Sequence, residues 1–301
     1  MSYTYNDLVD AIKTRGAIPT GQATFTTARF LASINATMRT KILPLVLGVQ
    51  ENYYVYDQET ALNDTGIYPI PKRAVVGKLN NAALLNGTER FDLPWISEER
   101  LQDTNIPPID VVAGIYIKRN SAILVPKEGA GYATLQLSFF LRPAQIVQNT
   151  DAAQITAIDT ATKTLTFAAG TIPTGWTTSN LFELVQADPH FDTLGYELSA
   201  TLITSTTVVM SAALPDRLAV GDWLSLNGQT PVIQCPVELQ PLLEQEGANF
   251  CLRSQGDLEA YKAGKEEAKE MHDDMKKLLA PRIQKEGKKI VNNTGILRRR
   301  G

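Results

Sequence analysis

Few residues in this 301-residue chain are of the types that carry chemistry, and their spacing limits what they can do. Histidine occurs twice, at His190 and His272, some eighty positions apart and with no cysteine pair beside either. That is not the ligand spacing of a zinc site. Asp188 and Asp192 flank His190 in the run ADPHFD, a grouping that could act as an acid–base or metal cluster. Following Pro189, its plainer reading is a solvated loop, and Asp273-Asp274 reads as a solvated helix face. No GxxxxGK[ST] run cradles a phosphate, and Gly129-Ala130-Gly131 lacks the third glycine and strand-to-helix setting of a dinucleotide fingerprint. A GxSxG elbow is missing as well. Cys235 and Cys251 sit among apolar neighbours and read as two buried thiols of a reducing compartment. An enzyme therefore has no positive support here. No catalytic, cofactor-binding or metal-binding residue is assigned.

The charge is more informative. From Lys276 onward there are nine Lys or Arg against one acid, Glu286, while the whole chain carries −3. The part before Lys276 is therefore strongly acidic, and an acidic body with a basic end suits an arm meant for another macromolecule. Counterion release on nucleic acid is one use of such an arm, and a DNA-binding protein is the alternative reading of the chain. Against it, no aromatic interleaves the basic residues after Tyr261, so base stacking has no platform. Ile283, Ile290, Val291, Ile296 and Leu297 are apolar anchors that an electrostatic arm does not need, and they favour a groove on a partner protein.

The elements that must position this arm follow from periodicity. Tyr5, Leu8, Val9 and Ile12 have helical spacing, with Thr4 and Asp7 as a capping pair and Gly16 as the stop. A second helix starts near Thr24 or Thr26 and carries Phe30, Ile34, Met38 and Ile42 on one stripe, until Pro44 ends or kinks it. NYYVYD, IYPIP, RAVVGKL, GIYIKR, AILVP and TLQLSFFLRP read as strands of an antiparallel sheet, with turns at Asn120-Ser121 and Glu128 to Gly131. Between 151 and 234 there is an internal echo. Ile155-Thr156, a turn, TLTF, Pro173 and Trp176 are matched by Ile203-Thr204, a turn, VVM, Pro215 and Trp223. A helix-like LFELVQ follows the first unit and a strand-like DWLSL the second; the pair suggests two hairpins in one small sandwich or barrel.

Helices return at Pro236, with Leu239, Leu242, Leu243 and Phe250 on the apolar face, Gly256 as the stop and Asp257 as the next cap. In the long helix beyond, Tyr261, Gly264, Ala268, Met271, Met275 and Leu278 alternate by three and four. This seam has small residues in its first half, so a partner helix can approach closely. The expected fold is α+β: an antiparallel four-helix bundle from the N- and C-terminal helices, an inserted antiparallel β domain, and an extended C-terminal arm. Its divisions are 1–50, 51–234, 235–280 and 281–301. The longest apolar run, Ile42 to Val49, is too short to span a bilayer, so no membrane association is expected.

In this order the motifs carry a resemblance. They are YNDLVDAIKTRGAIP, ILPLV with ENYYV, SFFLRPAQIV, GDWLSLNG with TPVIQCPVELQPLLEQ, and RSQGDLEAY with LLAPRIQKEGKKIVN. The chain resembles the head-to-tail adaptor (connector) proteins of tailed bacteriophages, over nearly its whole length. That resemblance implies a structural virion protein at the neck, made in the host bacterial cytoplasm. It implies a homo-oligomeric ring, expected as a twelve-mer, that continues the channel for genomic DNA between the portal protein and the tail or nozzle proteins. The positions matching portal docking are Arg282, Ile283, Lys285, Lys288, Lys289, Ile290, Val291, Ile296, Leu297 and Arg298 to Arg300 (Arg298, Arg299, Arg300). The long-helix seam is expected to pack between subunits.

Overall fold

The computed structural model describes residues 3–19, 24–97, 114–125 and 132–279. Helix α1 (Tyr5–Arg15) opens as its sequence dictates, with the Asp7 carboxylate accepting from the Thr4 backbone N–H at 2.9 Å and the Thr4 hydroxyl at 2.7 Å. Tyr5, Leu8, Val9 and Ile12 are all buried. Helix α2 (Thr27–Thr37) is capped by Thr26, whose hydroxyl accepts from the Arg29 N–H. Pro44 does not end this helix. A π-helical turn, Met38–Ile42, precedes it, and α3 (Leu43–Val49) continues beyond. The wider turn gives room to the proline ring and its missing donor, and lets Phe30, Ile34, Met38 and Ile42 stay buried on one face.

A 3₁₀ turn, Glu51–Tyr54, takes the first half of the aromatic run, so strand β1 begins only at Val55 (Val55–Ala61). With β2 (Ile67–Pro69), β3 (Ala74–Asn86), β4 (Glu89–Asp92), β5 (Gly114–Lys118), β6 (Ser121–Val125) and β7 (Thr134–Leu141), it forms two antiparallel sheets, ordered β1-β7-β3-β4 and β2-β6-β5. The β5–β6 hairpin turns at Arg119-Asn120, one residue before the expected dipeptide. The turn expected at Glu128 to Gly131 lies outside the described residues.

Residues 153–226 close into an antiparallel barrel of six strands. They are β9 (Ala153–Asp159), β10 (Thr164–Phe167), β11 (Leu181–Val185), β12 (Thr193–Ile203), β13 (Thr207–Met210) and β14 (Trp223–Leu226), after the two-residue β8 (Gln145–Ile146). The order is β10-β13-β12-β11-β14-β9. Exchanging β9, β10 and β11 with β12, β13 and β14 leaves every pairing unchanged. The sequence echo is thus a three-stranded unit used twice, with β10 of one copy paired to β13 of the other. Equivalent turns follow in both copies: Trp176 N–H donates to Pro173 O and Leu218 N–H to Pro215 O, each at 3.1 Å. LFELV is a strand, contrary to its helix-like reading, because both its edges are needed to close the ring, by β12 on one side and β14 on the other. Inside lie Ile155, Leu165, Phe167, Phe182, Leu184, Val208 and Leu224, with Trp176 against Phe182 at 5.0 Å.

The remaining elements are β15 (Gln229–Thr230), paired parallel to β8, then α4 (Gln240–Gln255) and α5 (Leu258–Leu279). Gly256 ends α4 in the left-handed region at φ 82°, where a side chain would be strained, and the Asp257 carboxylate accepts from Ala260 N–H at 3.0 Å to start α5.

The architecture corrects the four-helix bundle with one inserted β domain. It is a mixed α/β fold with a closed barrel and several separate sheets. The helices gather on α4, which α1, α2 and α5 contact, but their core is completed by Tyr54, Ile146, Ile233 and Cys235 from outside the helices. The physical reason lies in α1 and α2. Each is three turns long, and each gives part of its polar and apolar surface to strands. Tyr5 N–H donates to Pro231 O, and the Asn35 amide exchanges two hydrogen bonds with the backbone of Ile146, at 2.9 and 2.8 Å. A bundle would leave those strand groups unpaired.

Candidate functional site

The residues read as portal-docking, Arg282 through Arg300, lie outside the described residues. What the structure places is the helix that leads to them. Its seam is turned onto α4 of the same chain. Ala268 is buried, Met271 and Met275 are half-buried against the helical core, and Tyr261 is half-buried. At Gly264 the two helices cross closely. Its carbonyl accepts from the Asn249 amide at 3.0 Å, and a Cβ there would fall 2.8 Å from Gln245 Nε2 and closer still to Asn249 Oδ1. Gly247 makes the same provision for α1, since a Cβ would meet Ile12 Cγ1 at 2.7 Å. The small residues thus serve a partner helix, as their spacing says, and that partner is α4. Leu278, the last seam position, is 52% exposed.

The ADPHFD cluster does not assemble. His190 is exposed and its carbonyl accepts from the Tyr53 hydroxyl at 3.2 Å. Asp192 turns instead to Arg217, 3.3 Å away. Both border a polar cleft of roughly 370 Å³ with Tyr53, Arg142 and Gln234. His272 lies on α5 with Nδ1 3.5 Å from Asp273. Among the described residues no three His, Cys, Asp or Glu side chains converge on one point. Cys235 and Cys251 are buried and unpaired with each other. Burial pushes the Cys235 thiol well above its ordinary value and that of Cys251 to about 11.

One constellation was not legible in the sequence. Glu183, in the middle of β11, is wholly buried, and its carboxylate is bonded to the Arg73 guanidinium, the Thr193 hydroxyl at 2.9 Å and the Gly228 N–H at 2.8 Å. Arg73 also donates to the carbonyl of Arg142 and lies over the Tyr196 ring, 5.3 Å from its centroid. The start of β3, the end of β7 and two barrel strands are fastened at this point. Tyr196 is held up at about 12, first by burial and then by the neighbouring Glu197 carboxylate. The one available signal was an acid inside the apolar run LFELV, where a charge must find a partner or stay out. Gln234 does similar work nearby. Its side chain accepts from Ala144 N–H at 2.7 Å and donates to Thr193 and to the carbonyl of Phe191.

No helix among the described residues is long and apolar enough to cross a membrane. No protein-family model matches the chain, and no curated protein matches it.

Proposed function

We propose that this chain is a structural virion protein, an adaptor whose ring joins a portal to a tail and continues the DNA channel. The observation that carries the reading is the ordered set of motifs from YNDLVDAIKTR to APRIQKEGKKIVN, with basic and apolar residues alternating after Pro281. The helical end gives it physical support. Helices from the first fifty and last sixty residues share one core, and α5 is held there by Ala268, Met271 and Met275. Residues 281–301 therefore continue from an anchored helix, which suits an arm that reaches a partner. Mixed charge and apolar anchors suit a protein groove better than a polyanion. The acidic remainder suits a channel through which DNA must pass without adhering.

The direct test is reconstruction of the neck of the particle that contains this chain. A ring touching the portal through residues after Pro281 is the expected result, and finding the chain in the shell or in a fibre overturns the reading. Deleting residues 282–301 is expected to give particles that lack tails. Tails retained on such particles would refute arm docking. Duplex DNA binding by the purified chain, with affinity falling steeply as salt rises, would favour the DNA-binding alternative.

A further inference from the structure

One groove on the helical end is walled by lysines. Lys262, Lys265, Lys269 and Lys276 are all exposed on α5. At about 100° per residue they stay within roughly 60° of arc over about 21 Å of helix. They stand beside the seam that packs on α4 and line a groove of roughly 770 Å³. Thr40, Lys41 and Pro44, from the π-helical turn and α3, make its other side. The buried Leu45, Leu242 and Ala268 close its floor. Lys41 is paired with Glu246. The four lysines on α5 have no ion-pair partner among the described residues, although Glu266 lies one turn from Lys262 and from Lys269. Pairing at that spacing is the ordinary outcome on a helix, and like charges set at i,i+3 and i,i+4 destabilise it. Five lysines against two glutamates leave the groove at a net +3, in a chain that carries −3 overall. The wall is thus a local surplus of positive charge over an apolar floor.

We propose that this groove docks an acidic amphipathic helix from a different protein, with its carboxylates against the four lysines and its apolar side chains over Pro44 and the lysine stems. Charge complementarity selects this occupant. Lysine stems are apolar and their ammonium groups reach for water or an anion, so one wall serves both faces of such a helix. About 14 helical residues span the lysine row, and anchors at i, i+3, i+4 and i+7 are the usual way a helix fills a groove. The chain's own basic end is repelled, since it has nine Lys or Arg against one acid from Lys276 onward. A second copy's α5 fits poorly, because Glu259, Glu266 and Asp273 lie on the same face as its lysines and would bring lysine against lysine. A nucleic-acid duplex is the weaker polyanion fit. Screening reaches about 8 Å at physiological salt, so a short segment meets only the basic groove, whereas a duplex extends over the acidic body around it.

The test measures fluorescence anisotropy with the full chain and a labelled peptide of about 18 residues, an amphipathic helix of Glu, Leu and Ala long enough to be partly helical in water. Binding is expected with Kd on the order of 10 μM. Lys269→Glu reverses one groove charge and is expected to weaken it at least about tenfold. Lys277→Glu makes the same charge change outside the groove, at a side chain 78% exposed, and should leave binding within about twofold. Thr40→Trp puts an indole into the groove without changing charge and should weaken binding by about tenfold as well. A scrambled peptide of the same composition, which has no apolar face, is expected to bind about tenfold more weakly. Far-UV circular dichroism checks that each variant keeps its helix content. No binding by about 100 μM peptide overturns the inference. Equal binding by the parent, Lys269→Glu and Thr40→Trp also overturns it, because the peptide is then held by the basic end of the chain. A duplex of about 20 base pairs that binds with the same dependence on Lys269 would assign the groove to a polyanion instead. Self-association of the chain that is lost in Lys269→Glu would assign it to a second copy. Each readout is made on the purified chain, so it stands or falls apart from the adaptor reading.

Discussion

Replacing Arg73 by Met isolates the buried link between barrel and sheet. Glu183 is fully buried and the Arg73 side chain is 15% exposed, so neither charge has much water to return to. Without Arg73, the carboxylate keeps the Thr193 and Gly228 donors but loses its counter-charge, and the Arg142 carbonyl loses its guanidinium donors. Breaking one side of a buried pair costs about 3–5 kcal/mol. The two remaining donors place Arg73→Met near the lower end, at about 3 kcal/mol, and a protein of this size should then melt roughly 5 °C lower. Urea unfolding should be followed by far-UV circular dichroism and by the fluorescence of the three tryptophans, of which Trp176 and Trp223 are buried, with coincident curves as the check on two-state behaviour. The double variant R73M/E183M removes both charges and should recover to within about 1 kcal/mol of the parent. A loss below about 0.5 kcal/mol in the single variant, or a double variant no better than the single, would refute the assignment of Arg73 as the compensating charge.

Other substitutions test the remaining contacts. Gly264→Val forces a side chain into Asn249 and Gln245 and is expected to cost about 1–3 kcal/mol by denaturant unfolding. Gly48, in α3 with nothing within 4 Å of a Cβ, should tolerate alanine and gain about 0.5–1 kcal/mol. Asn35→Leu strands the N–H and carbonyl of Ile146 and should cost on the order of 2 kcal/mol or more, with loss of amide protection at Ile146 in hydrogen exchange. Alkaline pH supplies a further test. Burial raises the hydroxyls of Tyr3, Tyr53, Tyr54, Tyr56 and Tyr196 above their ordinary value. The folded chain then holds protons that the unfolded chain releases above about pH 10, so stability is complete below that pH and falls as pH rises beyond it. Absorbance at the tyrosinate band should lag in the folded protein and appear together with unfolding.

Much of the local structure was determined by sequence alone. Thr4 with Asp7, Thr26, Gly256 and Asp257 fix helix ends through hydrogen bonds that reach only a few residues, and each forms as its spacing dictates. The stripe from Phe30 to Ile42 and the seam from Gly264 to Met275 are buried or half-buried along most of their length. The doubled unit between 151 and 234 was visible in its strands and proline turns, but its two tryptophans do not correspond: Trp176 packs inside the barrel and Trp223 belongs to a separate cluster with Val185 and Val232. What the tertiary structure alone decided is which surface meets which. A stripe at i+4 steps specifies a buried face without naming its partner, so α1 and α2 could meet strand residues where a bundle was expected. LFELV has a pattern that suits helix or strand, and only pairing with β12 and β14 selects the strand. Arg73 and Glu183 are 110 positions apart, and no local rule brings such a pair together. Contacts of that range form when chain-wide burial outweighs the entropy of closing the intervening loop, and that balance belongs to the whole chain.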